Sequence, residues 1–244
     1  MGTYKKDYNK LYQLQLSFLS WLNKLDLPFY LTGGTAISRF YLNHRYSDDL
    51  DFFTNATPNF SKYINKVNNK ISSRFNVNVS DELFTEDFCR FFITDNEVSL
   101  KIEFVNDVEY RAGKPIATSY GLVDTIDNIL ANKIAAITGR DEPKDVFDII
   151  HIAENYSFNW ADIFLHTKHK AAVNEIDVEQ RLHTFPIELL TNIKTINALP
   201  DLNKLQSRLV AITNDFLLGR NNGNCKTGNE LSSAKPTLQE RWER

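Results

Sequence analysis

The chain has only two cysteines in 244 residues, Cys89 and Cys225, and they lie far apart. A disulfide framework or a cysteine zinc site needs more thiols at closer spacing, so neither is expected. Long apolar runs are also missing, because no stretch approaches the roughly 18–20 residues of a membrane helix. No leader pattern opens the chain; Met1 to Lys10 is polar and runs into the first helix. Charge of one sign is not in excess. A formal net charge of −3 argues against a nonspecific nucleic-acid coat but leaves room for a local basic groove. There are no internal repeats, no phosphate loop ending in G-K-[ST] and no G-x-G-x-x-G fingerprint. His151, His166, His169 and His183 lack metal-ligand spacing with cysteines. What is present is 42% hydrophobic and 24% charged, the composition of a cytosolic globule long enough to bury a core in one large domain or two small ones.

Periodicity divides the chain. Leu11, Leu14, Phe18, Leu22 and Leu25 recur at steps of three or four and predict a helix over about 6–25. Phe29-Tyr30-Leu31 reads as a buried strand, broken by Gly33-Gly34, after which Ala36, Ile37, Phe40 and Tyr41 carry helical spacing. Leu50 to Phe53 is the next strand, and a helix over roughly Phe60 to Ser73 follows the turn-rich segment Asn55 to Asn59. Phe88 to Thr94 and the alternating Val98 to Val105 form a hairpin around Asp95-Asn96-Glu97. From Asp124 on, the spacing is helical: Ile126 to Ile137, Val146 to Ala153 and Leu202 to Phe216. The expected architecture is α+β, a mixed sheet flanked by helices over residues 1–120, then a helical domain over 121–218. The Asn/Gly/Ser-rich remainder, 219–244, reads as a flexible tail.

The chemistry concentrates in two places. Gly33-Gly34 stands between a strand and a helix, where missing Cβ atoms let a phosphate approach free backbone N–H groups; an ordinary strand-to-helix turn has the same look. Fifteen residues on, Ser47-Asp48-Asp49-Leu50-Asp51 places Asp49 and Asp51 on one strand face and Asp48 away from it. Aspartate is depleted in strands, and neighbouring carboxylates repel unless a cation relieves them. Two carboxylates with room for substrate phosphates suit Mg²⁺ or Mn²⁺. Glu103, on the polar face of the Val98–Val105 strand, is a third carboxylate if that strand neighbours Leu50–Phe53, with the role of a base. Lys133 falls on the apolar stripe of Ile126, Leu130 and Ile137, an awkward place for a charge unless an anion such as a triphosphate meets it. Asp145 and Asp148 share a helix face, one of them orienting Lys133 or Arg140, while Asp148 also fits a surface pair with Asp141 and Lys144. Ser47 is a candidate nucleotide contact that equally fits a turn hydrogen bond. His44-Arg45 and Arg39 are weaker phosphate candidates, and Cys89 reads as a buried small hydrophobe.

The stretches Leu31-Thr32-Gly33-Gly34-Thr35-Ala36 and Arg45-Tyr46-Ser47-Asp48-Asp49-Leu50-Asp51-Phe52-Phe53 resemble the signature of the AbiEii/AbiGii-toxin group of nucleotidyltransferases, within the polymerase-beta-like superfamily. Ala131 to Ile137, Arg140 and Lys144-Asp145-Val146-Phe147-Asp148 resemble the later motif of the same group. The similarity spans roughly Phe29 to Ile152. It implies a small mixed sheet, a helical C-terminal part, and metal-dependent transfer of a nucleotide from an NTP. By that resemblance Gly34 and Thr35 meet the triphosphate, Asp49 and Asp51 hold the metal, and Asp145 matters for activity; Gly33 and Lys133 are further nucleotide-binding candidates. Where many members have aspartate as third carboxylate, this chain has Glu103. The resemblance further implies an RNA acceptor, often a tRNA end, and a cognate antitoxin as partner. Two other readings stay open: a small-molecule nucleotidyltransferase of the aminoglycoside-modifying kind, and an idle relative that only binds nucleotide or a partner.

Overall fold

The structure, a computed structural model, describes residues 7–78, 82–95 and 98–239. Helix α1 (Tyr8–Asn23) starts where the Asp7 carboxylate accepts from the Asn9 and Lys10 backbone N–H groups, and it buries Leu11, Leu14, Phe18 and Leu22. This is the first helix expected from its spacing; residues 1–6 and the Asn96-Glu97 turn lie outside the described residues. Among the described residues, eight strands form one mixed sheet in the order β3-β5-β6-β2-β1-β8-β7, with β4 also paired to β5. These are β1 (Tyr30–Thr32), β2 (Leu50–Asn55), β3 (Asn76–Val77), β4 (Leu83–Phe84), β5 (Phe88–Asp95), β6 (Val98–Asp107), β7 (Ile116–Thr118) and β8 (Gly121–Val123).

Strands β5 and β6 form the antiparallel hairpin expected from alternation. Strand β6 then runs parallel to β2, with Leu50 opposite Ile102 and Asp51 opposite Glu103. The alternation Val98, Leu100, Ile102, Phe104 is buried throughout, so the face bearing Lys101 and Glu103 is fixed by the core on the other side. Strand β1 lies antiparallel to β2, with Thr32 opposite Asp51. Four residues thus stand in one row across the sheet: Arg90, Glu103, Asp51 and Thr32.

After β1 the chain turns at Gly33 into α2 (Gly33–Ala36), which widens into a π-helical stretch, Ile37–Leu42. Helix α3 (Phe60–Ile71) covers the core through Phe60, Ile64, Val67 and Ile71. The helical part contains α4 (Ile126–Gly139), α5 (Pro143–Asn155), α6 (Trp160–Lys170), α7 (Glu175–His183) and α8 (Leu202–Leu217). The expected boundary at 120/121 falls inside the β7–β8 hairpin, whose second strand pairs with β1. Two three-residue strands are too short to show a period, so nothing in the spacing marks this stretch as part of the sheet. One continuous core runs from Leu11 to Leu231 across both parts.

Residues 219–239, expected as a flexible tail, are instead anchored. The Asn222 amide donates to the Ala153 and Tyr156 carbonyls at 2.6 and 2.7 Å, Leu231 is buried, and Ser157 exchanges backbone hydrogen bonds with Asn229 and Leu231. Further on, the Thr237 and Gln239 N–H groups donate to the Phe40 and Arg39 carbonyls of the π-helical stretch. This segment is held mostly by backbone groups, so its polar composition concealed the attachment.

Candidate active site

The acidic floor comes from β2 and β6. Asp49 immediately precedes β2 and Asp51 lies within it. Both face a cleft of approximately 870 Å³ that is also lined by Thr32, Gly33, Gly34, Ser47, Glu103, Lys133 and Arg140. Asp51 stands beside Glu103 in register. Burial, then repulsion from Glu103 and Asp49, pushes its carboxyl up to about 6. Glu103 moves the other way. Burial alone would raise it, but Arg90 (Nε to Oε1, 2.7 Å) and Lys101 (Nζ to Oε2, 3.2 Å) hold it below the usual range. Lys101 also reaches Asp49 Oδ2 at 3.1 Å.

The glycine pair is shaped by this floor and by its neighbour. A Cβ on Gly33, whose φ is +69°, would lie 2.6 Å from Asp51 Oδ2, and one on Gly34 would strike Arg45 Nη2. Both therefore make room for side chains of the site itself, a reason the sequence alone did not disclose. Thr35 is buried behind the cleft wall, its hydroxyl bonded to Ser47 Oγ (2.8 Å) and to the Asp49 carbonyl. It sets the position of the acidic loop from beneath. Ser47 is on the wall, with its carbonyl accepting from Gln15 and its N–H donating to the Tyr12 hydroxyl. Asp48, expected to point away, also lines the cleft beside Tyr8. It precedes the strand, so strand alternation does not govern it.

Opposite the floor lies a network from α4, α5 and the loop before β2, buried except for Arg140 at its edge. Lys133 Nζ is 2.6 Å from Asp145 Oδ1 and 2.7 Å from Asp148 Oδ2. Arg45 holds Asp148 with both Nε (2.6 Å) and Nη2 (2.7 Å), and His44 Nε2 lies 2.8 Å from the same carboxylate. Arg140 Nε donates to Asp145 Oδ2 at 2.8 Å. Burial lowers His44 to about 4, leaving it neutral at pH 7. Asp148 is desolvated too, yet Arg45 and Lys133 hold it well below the carboxylate range. Three cations therefore face two carboxylates, and the surplus positive charge lies across from Asp51.

The structure brings together Gly33, Gly34, Ser47, Asp49, Asp51, Glu103 and Lys133 on one cleft, with Asp145 directly behind Lys133. The surface pair considered for Asp148 does not form; Asp148 is fully buried, Asp141 pairs with Arg181 at 2.7 Å and Lys144 lies near Glu142. Arg39 is buried on Gln15 and Tyr12, away from the cleft, and Cys89 is a buried strand residue. Sequence reasoning missed Arg90, although a tight hairpin centred on 96–97 pairs it with Glu103. It missed Lys101, which was visible on the same polar face as Glu103. It also missed Asp124, a fully buried carboxylate that accepts from Thr32 (2.7 Å), Asn128 (2.8 Å) and Arg111 (3.0 Å) and so ties β1 to α4.

The donor set fits a hard divalent cation. Asp49 and Asp51 offer carboxylate oxygens that crowd one another, and an ammonium already lies between Asp49 and Glu103. Among the described residues no group of three or more His, Cys, Asp or Glu is placed to hold a metal ion by itself.

The family description "Nucleotidyl transferase AbiEii toxin, Type IV TA system" matches residues 18–221. The chain belongs to this family. It is accordingly a nucleotidyltransferase of a toxin–antitoxin group, as the resemblance implied. Solved structures share the AbiEii-type fold at low identity. JHP933 from Helicobacter pylori aligns with a TM-score of 0.55 at 20% identity, covering 88% of this chain and 94% of that one. A putative nucleotidyltransferase from H. pylori gives 0.56 at 20%, over 87% and 96%. MenT4, a nucleotidyltransferase toxin from Mycobacterium tuberculosis H37Rv, gives 0.55 at 15%, over 86% and 84%. A comparison with curated proteins found no match. Among the described residues no helix is long and apolar enough to cross a membrane.

Proposed function

We propose that the protein transfers NMP from an NTP to a hydroxyl of RNA, most simply a tRNA end, as the toxin of a two-component cytoplasmic system with a cognate antitoxin. The observation that carries this reading is the acidic floor of Asp49, Asp51 and Glu103 facing the positively charged Lys133 network across one cleft. Asp49 and Asp51 would hold Mg²⁺ or Mn²⁺, which supplies charge neutralisation of the phosphates when bound. The acceptor oxygen bonds to the α-phosphorus, the bond to the β-phosphate breaks, and pyrophosphate leaves while the hydroxyl proton passes to solvent. Lys133 and Arg140, steered by Asp145, counter the charge that builds on the leaving pyrophosphate. Gly33 and Gly34 let Asp51 and Arg45 pack close at the phosphate end, with Ser47 beside them and Thr35 holding the loop in place. The two ion pairs on Glu103 favour a role in holding charge over one in taking a proton.

An RNA acceptor is supported by the exposed Arg140, Lys144 and Lys194 on the cleft wall. Lys168 and Arg181 do not extend this surface, since neither lines the cleft. The aminoglycoside-type alternative would need a net acidic mouth, and here cations and carboxylates are nearly balanced. The test is incubation with each labelled NTP, Mg²⁺ and total tRNA. Wild-type protein labels RNA, whereas Asp49→Ala and Asp51→Ala lose at least a hundredfold while remaining folded, as expected when charge stabilisation of the reaction is removed. Labelling unchanged in both variants would sink the assignment.

A further inference from the structure

Lys101 is a cation on the acidic floor that the reaction scheme leaves without a role. It sits on β6 two residues before Glu103, so both side chains leave the same face. Its ammonium lies 3.1 Å from Asp49 Oδ2 and 3.2 Å from Glu103 Oε2, and its side chain is 28% exposed. Lys133 differs on each count. It makes shorter contacts to Asp145 and Asp148, and its side chain is 7% exposed. Lys133 is fixed, whereas Lys101 is a point charge on a flexible four-carbon stem with open cleft in front of it. A divalent ion and an ammonium cannot share the same carboxylate oxygens, because like charges at that separation repel strongly.

We propose that Lys101 is a tethered counter-ion: in the free protein its ammonium neutralises Asp49, one of the two carboxylates that would hold a divalent metal, and it leaves Asp49 for the nucleotide's phosphates when the metal binds. The inference rests on the nucleotidyltransferase reading and deepens it. Metal alone must displace the ammonium with nothing to receive it, so its affinity is held down. A triphosphate gives the ammonium a new partner, and each ligand then favours the other by the same factor. Arg90, paired with Glu103 from the neighbouring strand, keeps that carboxylate in place during the exchange.

The test is titration of the protein with Mn²⁺ alone, followed by electron paramagnetic resonance, without nucleotide. Lys101→Met should bind Mn²⁺ about tenfold more tightly than wild type, equivalent to about 1.4 kcal/mol. Lys101→Arg, which keeps the charge, should stay as weak as wild type, and Asp49→Asn added to Lys101→Met should abolish the gain. Lys101→Gln serves in place of Lys101→Met if the latter melts early. Equal or weaker Mn²⁺ binding in the neutral variants overturns the proposal. So does undetectable Mn²⁺ binding in both proteins when RNA labelling still depends on Asp51, an outcome that leaves the nucleotidyltransferase reading standing. Labelling that ignores Asp49 and Asp51 defeats that reading itself.

Discussion

Asp51 is held in a less stable ionisation state than water would give it. Its carboxyl is raised from 3.8 to about 6 by burial and by Glu103 and Asp49. The folded state therefore binds a proton more tightly than the unfolded one, so this residue's contribution to stability falls as pH rises from about 4 to about 6. Asp51→Asn removes the charge. The variant is expected to be more stable than wild type by about 2–3 kcal/mol at pH 7.5 without metal. The gap should close near pH 4, as read by urea denaturation at both values. It should also shrink in wild type's favour when Mg²⁺ is added. Gly34 gives a second residue-scale expectation. Gly34→Ala drives a methyl into the Arg45 guanidinium, and overpacking of this kind costs about 1–3 kcal/mol. Arg45→Ala should mask most of that cost in a double-mutant cycle. The carboxylates were legible from the D-x-D spacing and the glycines from their position, but the purpose of the glycines was not. Which side chain a missing Cβ accommodates depends on partners 11 and 18 residues away along the chain.

At the scale of elements, Asp148 joins α5 to α4 through Lys133 and to the loop before β2 through Arg45 and His44. Removing it strands buried cations, so Asp148→Ala should lower stability by about 3–5 kcal/mol and reduce transfer with it, measured by denaturant midpoint and RNA labelling. The same network makes the protein acid-sensitive. Asp148 lies well below its ordinary range, so the stability it confers is present above about pH 4 and is lost as pH falls through its folded value. The spacing of apolar residues disclosed β5, β6, α4, α5 and α8, because each buries one regular face. It did not disclose β7 and β8, which are three residues each, nor the π-helical stretch, whose residues Ile37, Phe40 and Tyr41 look α-helical. Asp148 was ambiguous for a related reason. A charged residue on a helix face reads as exposed until a second element is known to cover it.

For the whole molecule, the sheet and the helices share one core, and residues 219–239 fasten the helical part to the helix that follows the glycines. Deleting everything from residue 219 removes the Asn222 bonds, the burial of Leu231 and the pairing to Arg39 and Phe40. At about 1 kcal/mol per hydrogen bond and about 2 for the leucine, the loss is about 6 kcal/mol and the melting temperature should drop by about 12–24 °C. Scanning calorimetry of the shortened protein checks it; an unchanged transition would show that the segment contributes little. The attachment was invisible in the sequence because composition reports side chains, and here carbonyls and N–H groups carry the contact.

That attachment also orders events during synthesis. The carboxylates, glycines and lysine of the cleft all lie before residue 150, whereas the residues that brace the helix behind Gly33 and Gly34 come some seventy or more positions later. A ribosome has therefore made the chemical groups of the cleft well before it delivers their brace. The helix that carries the two glycines therefore gains its last hydrogen-bond partners only after every chemical group of the cleft has been joined to the chain.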